Sequence, residues 1–495
     1  KGLSTPAFLC STTGVEVMED ELEFIISLAL AQGASYAEAR YQTDRSESNL
    51  LKNGEPEVAS FETKRGMAFR AIVEGGLGFG ATNQLGKREL RAMVKRVVAS
   101  ARSAGRSNRV PIAMGPADLA QGKVEVRPRV GFEAVGLEAR LDLLKEADAA
   151  ALAAAEAAGV KLPGRYLSLD TLTTEKSVLT SDGAKVHSVI PRVSLDAFLT
   201  AFEPGRGSIQ RFISLGESSG WEAAERWDVP RLLKEETDTL ASVLLKAEAA
   251  REEQGDVVLG PEVVGIVSHE SSGHPGEADR ILGREAAQAG EAYLRRDSLG
   301  MKVGSEVVNV VEDPTLPRSF GFYPFDDEGV KARRRHLIKE GRINEFLHNR
   351  ETAHAMGVRS NASARSVAFN REPIVRMSNT FVEPGDLSLE ELIEGVDYGV
   401  YIKNFMEWNI DDRRYNQRYV GLEAFRIEDG QLRQRLRNPV LELTTPALWS
   451  AVDAVGKDLK FNAATCGKGD PMQGIPVWTG GPHVRARGLR LGGSS

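Results

Sequence analysis

The chain alternates between two hydrophobic periods. Residues 20–32 carry apolar side chains at helical spacing and stop at Gly33, which predicts a helix. From Tyr36 to Ala81 the pattern becomes two-residue alternation, broken by Asn53-Gly54 and Gly75-Gly76, turn pairs that predict hairpins of an antiparallel sheet. Helical spacing returns over 90–104, and residues 137–158, dominated by Ala, Leu and Glu, predict a strong helix. Strand-like segments follow between Tyr166 and Ile213 with a turn at Ser181-Asp182-Gly183, and a further helix is expected over 229–252. Mixed periods with short turns between strands favour an α+β fold over a parallel doubly wound sheet.

Beyond Gln254 the character shifts. Residues 257–259 and 263–267 are short apolar runs, β-like stretches follow at 307–311, 398–403 and 421–427, and a helix is expected at 387–395. The organisation read from this pattern is a flexible tail over 1–18, a first α+β domain over 19–110, a second over 111–250, and a β-rich C-terminal domain over 251–495. No internal repeat or low-complexity tract stands out.

Composition narrows the function classes. With 41% hydrophobic residues the chain can build real cores, and a net charge of −7 gives no phosphate-tracking surface, so a nucleic-acid partner is not expected. Arg333-Arg334-Arg335 lies close to Asp326-Asp327-Glu328, which by default reads as a solvated face. No apolar run approaches the ~20 residues of a membrane span, so no membrane association is expected. The first 18 residues lack a charged start followed by an apolar core, so no secretory signal is expected either. The two cysteines, Cys10 and Cys466, form no disulfide framework, and a cytoplasmic setting fits them.

The chemistry concentrates at His269-Glu270-Ser271-Ser272-Gly273-His274. In H-E-x-x-H the two imidazoles share one helix face, but here they are five positions apart. An unbroken α-helix would separate them by about 140°, too far to reach one ion. A helix carrying His269 and Glu270 must therefore unwind or take a π-like wide turn, with Gly273 lending backbone freedom and Pro275 pushing His274 out of the α region. A third ligand could come from Cys466, in the small-residue segment Ala464-Thr465-Cys466-Gly467, or from Glu277, Asp279 or His483. His187, His336, His348 and His354 are isolated and read as surface or core-edge residues.

Two further motifs compete. Gly76-Leu77-Gly78-Phe79-Gly80 followed by Gly86-Lys87 suggests a phosphate loop, but the spacing is one residue too long and Arg88 stands where Ser or Thr is required. Sheet and turn glycines are the better reading. Gly216-Glu217-Ser218-Ser219-Gly220 matches a nucleophile elbow and keeps a serine hydrolase using Ser218 as an alternative.

The His269–His274 segment resembles the H-E-x-x-x-H signature of the TldD/PmbA family, zinc metallopeptidases once called modulators of DNA gyrase. Cys466-Gly467-Lys468 is similar to the family's C-terminal C-G-K segment. Asp326-Asp327-Glu328-Gly329-Val330, Arg376-Met377-Ser378-Asn379-Thr380, Pro384-Gly385 and Glu423-Ala424-Phe425 look like family landmarks in order, and Arg65 to Arg70 resembles the first domain more loosely. The likeness covers most of residues 19–492. The sequence departs from the family over Gly469 to Gln473 and at Trp478, which bears on substrate choice.

The resemblance implies one Zn2+ per chain held by His269, His274 and Cys466, with Glu270 as general base. It also implies unfolded or short peptides as substrates, and a dimer formed with a second copy or with a homologue lacking the zinc motif. The reading from a different class is a zinc-stabilised binding or assembly module without turnover.

Overall fold

The computed structural model describes residues 18–285 and 290–493. Residues 1–17 of the expected tail, with Cys10, lie outside the described residues. The fold is α+β, with a mixed N-terminal half and a more β-rich C-terminal half.

The N-terminal half opens with helix α1 (Glu19–Ala31), the strands β1 (Tyr36–Lys52), β2 (Glu55–Val73) and β3 (Gly76–Thr82), and helix α2 (Lys87–Ser107). Both hairpin turns place two consecutive residues at positive φ, Asn53-Gly54 (50° and 87°) and Glu74-Gly75 (52° and 77°), the backbone that matches the twist of paired strands. The second turn thus comes one residue earlier than Gly75-Gly76. The cause is packing: a Cβ on Gly76 would lie 2.0 Å from the Ala101 carbonyl, and one on Gly78 only 2.4 Å from the Val97 carbonyl. These glycines let α2 rest directly on β3, which accounts for the glycine run without a phosphate.

Next come β4 (Gln121–Glu125), α3 (Leu137–Ala158), β5 (Lys161–Thr180), β6 (Lys185–Glu203), β7 (Gly207–Glu217), α4 (Glu222–Arg226) and α5 (Val229–Lys246). The strands form one seven-stranded sheet in the order β3-β2-β1-β5-β6-β4, with β7 also on β6. Helices α1 and α2 cover the β1–β3 end through residues such as Ile25, Val94 and Phe69, while α3 and α5 cover the other end through Leu144, Leu240 and Leu195. Helix α5 stops at Lys246 rather than 252, because β8 (Glu248–Ala249) pairs with the strand Gln431–Arg437. Tertiary pairing here overrides the helix propensity of the Ala- and Glu-rich stretch.

In the C-terminal half, β9 (Glu253–Leu259) lies inside a ten-stranded sheet between the strands Tyr398–Ile402 and Val484–Gly493. A six-stranded sheet includes the hairpin Lys460–Lys468 with Gln473–Gly481, and Asn379–Val382 runs parallel beside it. Helix α6 (Pro261–Ser268) shares one core with residues of both sheets: Val263, Val264 and Val267 join Val257, Val400 and Val382. It is apolar nearly all round, as a helix enclosed by protein must be. A Cβ on Gly265 would lie 2.9 Å from the Gly480 nitrogen, so helix and strand meet backbone to backbone.

The solvated face expected near residue 330 is largely buried. Arg333 and Arg334 are exposed, but Asp326, Asp327, Glu328 and Arg335 are enclosed. Lys176 donates to Asp327 at 2.9 Å and Arg70 to Glu328 at 2.7 Å, so the acidic run fastens the C-terminal half to the N-terminal sheet. Among the described residues no helix is long and apolar enough to cross a membrane.

Gly78→Val tests the close approach of α2 to β3. The added side chain meets backbone that cannot turn aside, so stability falls by about 1–3 kcal/mol. A thermal or urea midpoint equal to that of the parent would show that α2 does not depend on the bare strand.

Candidate metal centre

Helix α6 ends at Ser268, whose hydroxyl donates to the Gly265 carbonyl at 2.8 Å. Over His269–Gly273 the backbone widens into a π turn, and His274–Gly276 tightens into a 3-10 turn. A π turn uses more residues per turn than an α-helix, so side chains five positions apart return to one side. The His269 and His274 rings accordingly stand 5.0 Å apart between centroids, crossed at 81°.

The predicted wide turn forms, but not by the predicted agents. His274 stays in the α region (φ −57°, ψ −44°) despite Pro275, and Gly273 has φ −69°, open to any residue. Glycine is required at 273 for space: a Cβ there would lie 1.9 Å from the Met377 sulfur. The two serines inside the motif anchor the turn. Ser271 Oγ donates to Gln417 Oε1 at 2.6 Å, and Trp449 Nε1 donates to Ser272 Oγ at 3.1 Å.

Cys466 lies near the end of the strand Lys460–Lys468, buried, with Sγ 3.4 Å from His274 Nε2. The candidate donor atoms of His269, His274 and Cys466 all lie within 4.8 Å of one another. Tetrahedral zinc with nitrogen and sulfur donors separates them by about 3.3–3.6 Å, so modest contraction suffices. His274 Nδ1 is 2.9 Å from the Glu277 carboxylate, which accepts its proton and leaves Nε2 free on the Cys466 side. Among the described residues His269 Nδ1 has no hydrogen-bond partner, and it is buried. These three side chains form a buried site able to coordinate a metal ion.

The other ligand candidates have separate duties. Glu277 supports His274 and receives Arg280 Nε at 2.6 Å, and Asp279 receives Lys468 Nζ at 2.7 Å. His483 is tied to Asp458 and Tyr401. Ser218 is buried and its hydroxyl reaches the Phe320 carbonyl at 3.5 Å, with no histidine as its hydrogen-bond partner among the described residues. The nucleophile-elbow reading thus lacks its base.

Burial pushes the pKa of both His269 and His274 below the ordinary histidine value, favouring the neutral form that binds metals. Burial alone would push the Cys466 thiol up, but His274 and Arg376 outweigh it and bring the pKa down to about 7. Burial likewise opposes ionisation of Glu277, yet Lys468, His274 and Arg280 hold its carboxyl well below the usual range. Glu270 is 6% exposed; its Oε2 lies 4.0 Å from His274 Nε2 and receives Arg414 Nη1 at 2.5 Å.

Two functional neighbours escaped the sequence reading. Arg376, fully buried, donates to the Cys466 carbonyl and to that of Gln473; it stood in a recognised landmark, but nothing marked it as facing the cysteine. Arg414 sits in the charged run Asp411-Asp412-Arg413-Arg414, which carries no motif.

Three outcomes follow from this geometry. Metal affinity, read by competition with a chromophoric chelator, rises with pH through about 7, because the Cys466 proton must leave before sulfur can bind. Cys466→Ala abolishes tight uptake; full occupancy in that variant would move the third ligand elsewhere. Glu277→Gln weakens affinity by about 10- to 100-fold through loss of the carboxylate that orients His274, and an unchanged dissociation constant would remove Glu277 from that role.

Comparison with known proteins places this geometry in a family. Sequence profiles of the PmbA/TldA metallopeptidase match in three parts: domain 1 over residues 37–101, the central domain over 131–254 and the C-terminal domain over 252–493. A protein described as a metalloprotease from Methanothermobacter thermautotrophicus is 32% identical over 483 residues, covering 96% of this chain and all of that one. Another from Methanocaldococcus jannaschii is 28% identical, over 92% of this chain and 97% of its own. The fold matches a crystal structure from Thermotoga maritima described as a candidate modulator of DNA gyrase (TM-score 0.74, 18% identity, 96% of this chain and all of that one). It also matches TldE from Thermococcus kodakarensis (TM-score 0.70, 16% identity, 96% and all). On full-length similarity and three matching domains, the chain belongs to the TldD/PmbA family.

Proposed function

We propose that this protein is a zinc-dependent peptidase acting on unfolded or short peptides, with Glu270 as general base. One observation supports the reading: the Glu270 carboxylate stands beside a His269/His274/Cys466 set that supplies three donors, one fewer than the four that zinc takes. Two imidazoles and a thiolate suit zinc among the available divalent ions. Zinc bound there supplies Lewis acidity towards a peptide carbonyl and an attacking water.

The chain's own groups do the rest. The Glu270 carboxylate takes a proton from the attacking water and later delivers it to the leaving nitrogen. Glu277 fixes the His274 ring, and the enclosing core keeps bulk water from the reacting atoms. The description of two full-length relatives as metalloproteases supports this activity.

The same reading includes a dimer, formed with a second copy or with a homologue lacking the zinc ligands. Its support is family membership and the likeness of fold to TldE. A cytoplasmic setting is proposed on the sparse cysteine content. A second reading, a zinc-binding assembly module without turnover, draws on the closed burial of the cluster and on the Arg414 ion pair that occupies Glu270.

Glu270→Gln separates the two. On the proposed reading it keeps its zinc and loses about 100- to 10,000-fold in cleavage of an unstructured peptide. The parent loses activity to a chelator and regains it with zinc. Parental turnover in Glu270→Gln would refute the assigned base, and no cleavage by the zinc-loaded parent would favour the assembly module.

A further inference from the structure

Arg414 occupies an unusual position. It lies in the turn joining the strands Phe405–Ile410 and Asn416–Gly421, at φ 62°, a left-handed conformation that a residue with a Cβ adopts only at a cost. The turn is held firmly. Asp411 accepts the Tyr415 and Asn416 amides at 2.8 and 3.1 Å, Arg414 N donates to the Asp411 carbonyl at 3.0 Å, and Thr445 Oγ1 donates to the Arg414 carbonyl at 3.1 Å. The resulting backbone sends the Arg414 side chain inward, 12% exposed, to Glu270.

Neutralising Glu270 does not require this arrangement. A guanidinium has five N–H donors in a planar fork, yet among the described residues its side-chain bond is from Nη1 alone, and Nε is buried without a partner. The site therefore holds a cation with spare donors beside the general base, and that base is 4.0 Å from His274 Nε2.

Resting on the peptidase reading, we propose that Arg414 binds the oxyanion that develops on the scissile carbonyl. The charge movement makes the exchange natural. As water attacks, one of its O–H bonds breaks and the proton passes to Glu270. The water oxygen bonds to the carbonyl carbon, and the C=O π pair moves onto the carbonyl oxygen. One negative charge thus leaves the Glu270 carboxylate and appears on the substrate oxygen. The guanidinium follows it, releasing a carboxyl that has become neutral and turning its donors to the new anion. When the tetrahedral species collapses, the π bond re-forms and the C–N bond breaks. The Glu270 proton goes to nitrogen, and the restored carboxylate recaptures Arg414. The resting ion pair is one end of this cycle.

The test uses the full zinc-loaded chain with Arg414→Gly and Arg414→Lys. Glycine suits the positive φ, so the first variant removes the side chain while relieving backbone strain; loss of the Glu270 partner lowers the thermal midpoint, zinc content stays at the parental value, and cleavage is measured well below that midpoint. Peptide cleavage falls about 100- to 1,000-fold in kcat with KM little changed. Arg414→Lys recovers part of the loss, and low-millimolar guanidinium restores part of the activity of Arg414→Gly.

Unchanged kcat, a loss confined to KM, or failure of guanidinium rescue would overturn the proposal. A peptide phosphinate, which carries a stable tetrahedral anion, gives a readout independent of turnover. Its affinity drops about 100-fold in Arg414→Gly if the residue binds the anion. If the parent cleaves no peptide, the peptidase reading fails by itself. Equal phosphinate affinity in parent and variant would then remove Arg414 from anion binding as well, whereas the expected drop would keep it there.

Discussion

Withdrawing two imidazoles, a thiol and two carboxylates from water within one core is the constraint on which the C-terminal half depends. Each charged or polar group left alone there would cost several kcal/mol or lose its charge. The surroundings of the site answer that demand. Glu277 is met by His274, Arg280 and Lys468, Glu270 by Arg414, and the end of the cysteine strand by Arg376. Among the described residues His269 Nδ1 has no protein partner, as suits a site able to coordinate a metal.

The same logic reaches the N-terminal sheet. Arg350 reaches the exposed Asp182 and, in the interior, Arg70 bridges Glu38 and Glu328 and Lys176 meets Asp327. Buried pairs of this kind add little net stability, but removing one partner strands the other in a dry interior. They therefore act as a registry device, accepting one arrangement of the halves. The chain of contacts continues from Asp327, which accepts the Ser366 amide, to the neighbouring Arg365, which donates to the Met377 carbonyl at 2.6 Å, and Met377 fills the space left by Gly273. The N-terminal sheet thus reaches the π turn through a short series of packed groups.

Much of the fold was legible because period and turn chemistry are local. The helix over Leu137–Ala158 and the Asn53-Gly54 hairpin follow from residues within a few positions of one another. Errors arose where a distant neighbour decided: Gly76 belongs to the strand because α2 lies on it, and α5 ends early because residue 248 finds a strand partner near 436. In the site, spacing alone predicted the wide turn, since two imidazoles cannot otherwise share an ion. The reason for Gly273 was hidden, because Met377 is far away in sequence. Arg414 was hidden more deeply, since a surface turn and an inward-pointing arginine look alike until the backbone of the turn is known.

The meeting of Gly265 with Gly480 bears on how firmly the candidate ligands are spaced. One glycine belongs to the helix that leads into the histidines, the other to the strand paired with the one that bears the cysteine. With no side chain between them, two main chains set the separation of the ligands. A zinc finger, by contrast, gathers its ligands only as the ion arrives, so that loading and folding are one event. Here the spacing of the candidate donors is tied to a contact between two main chains, a part of the fold that no side-chain rotation can change.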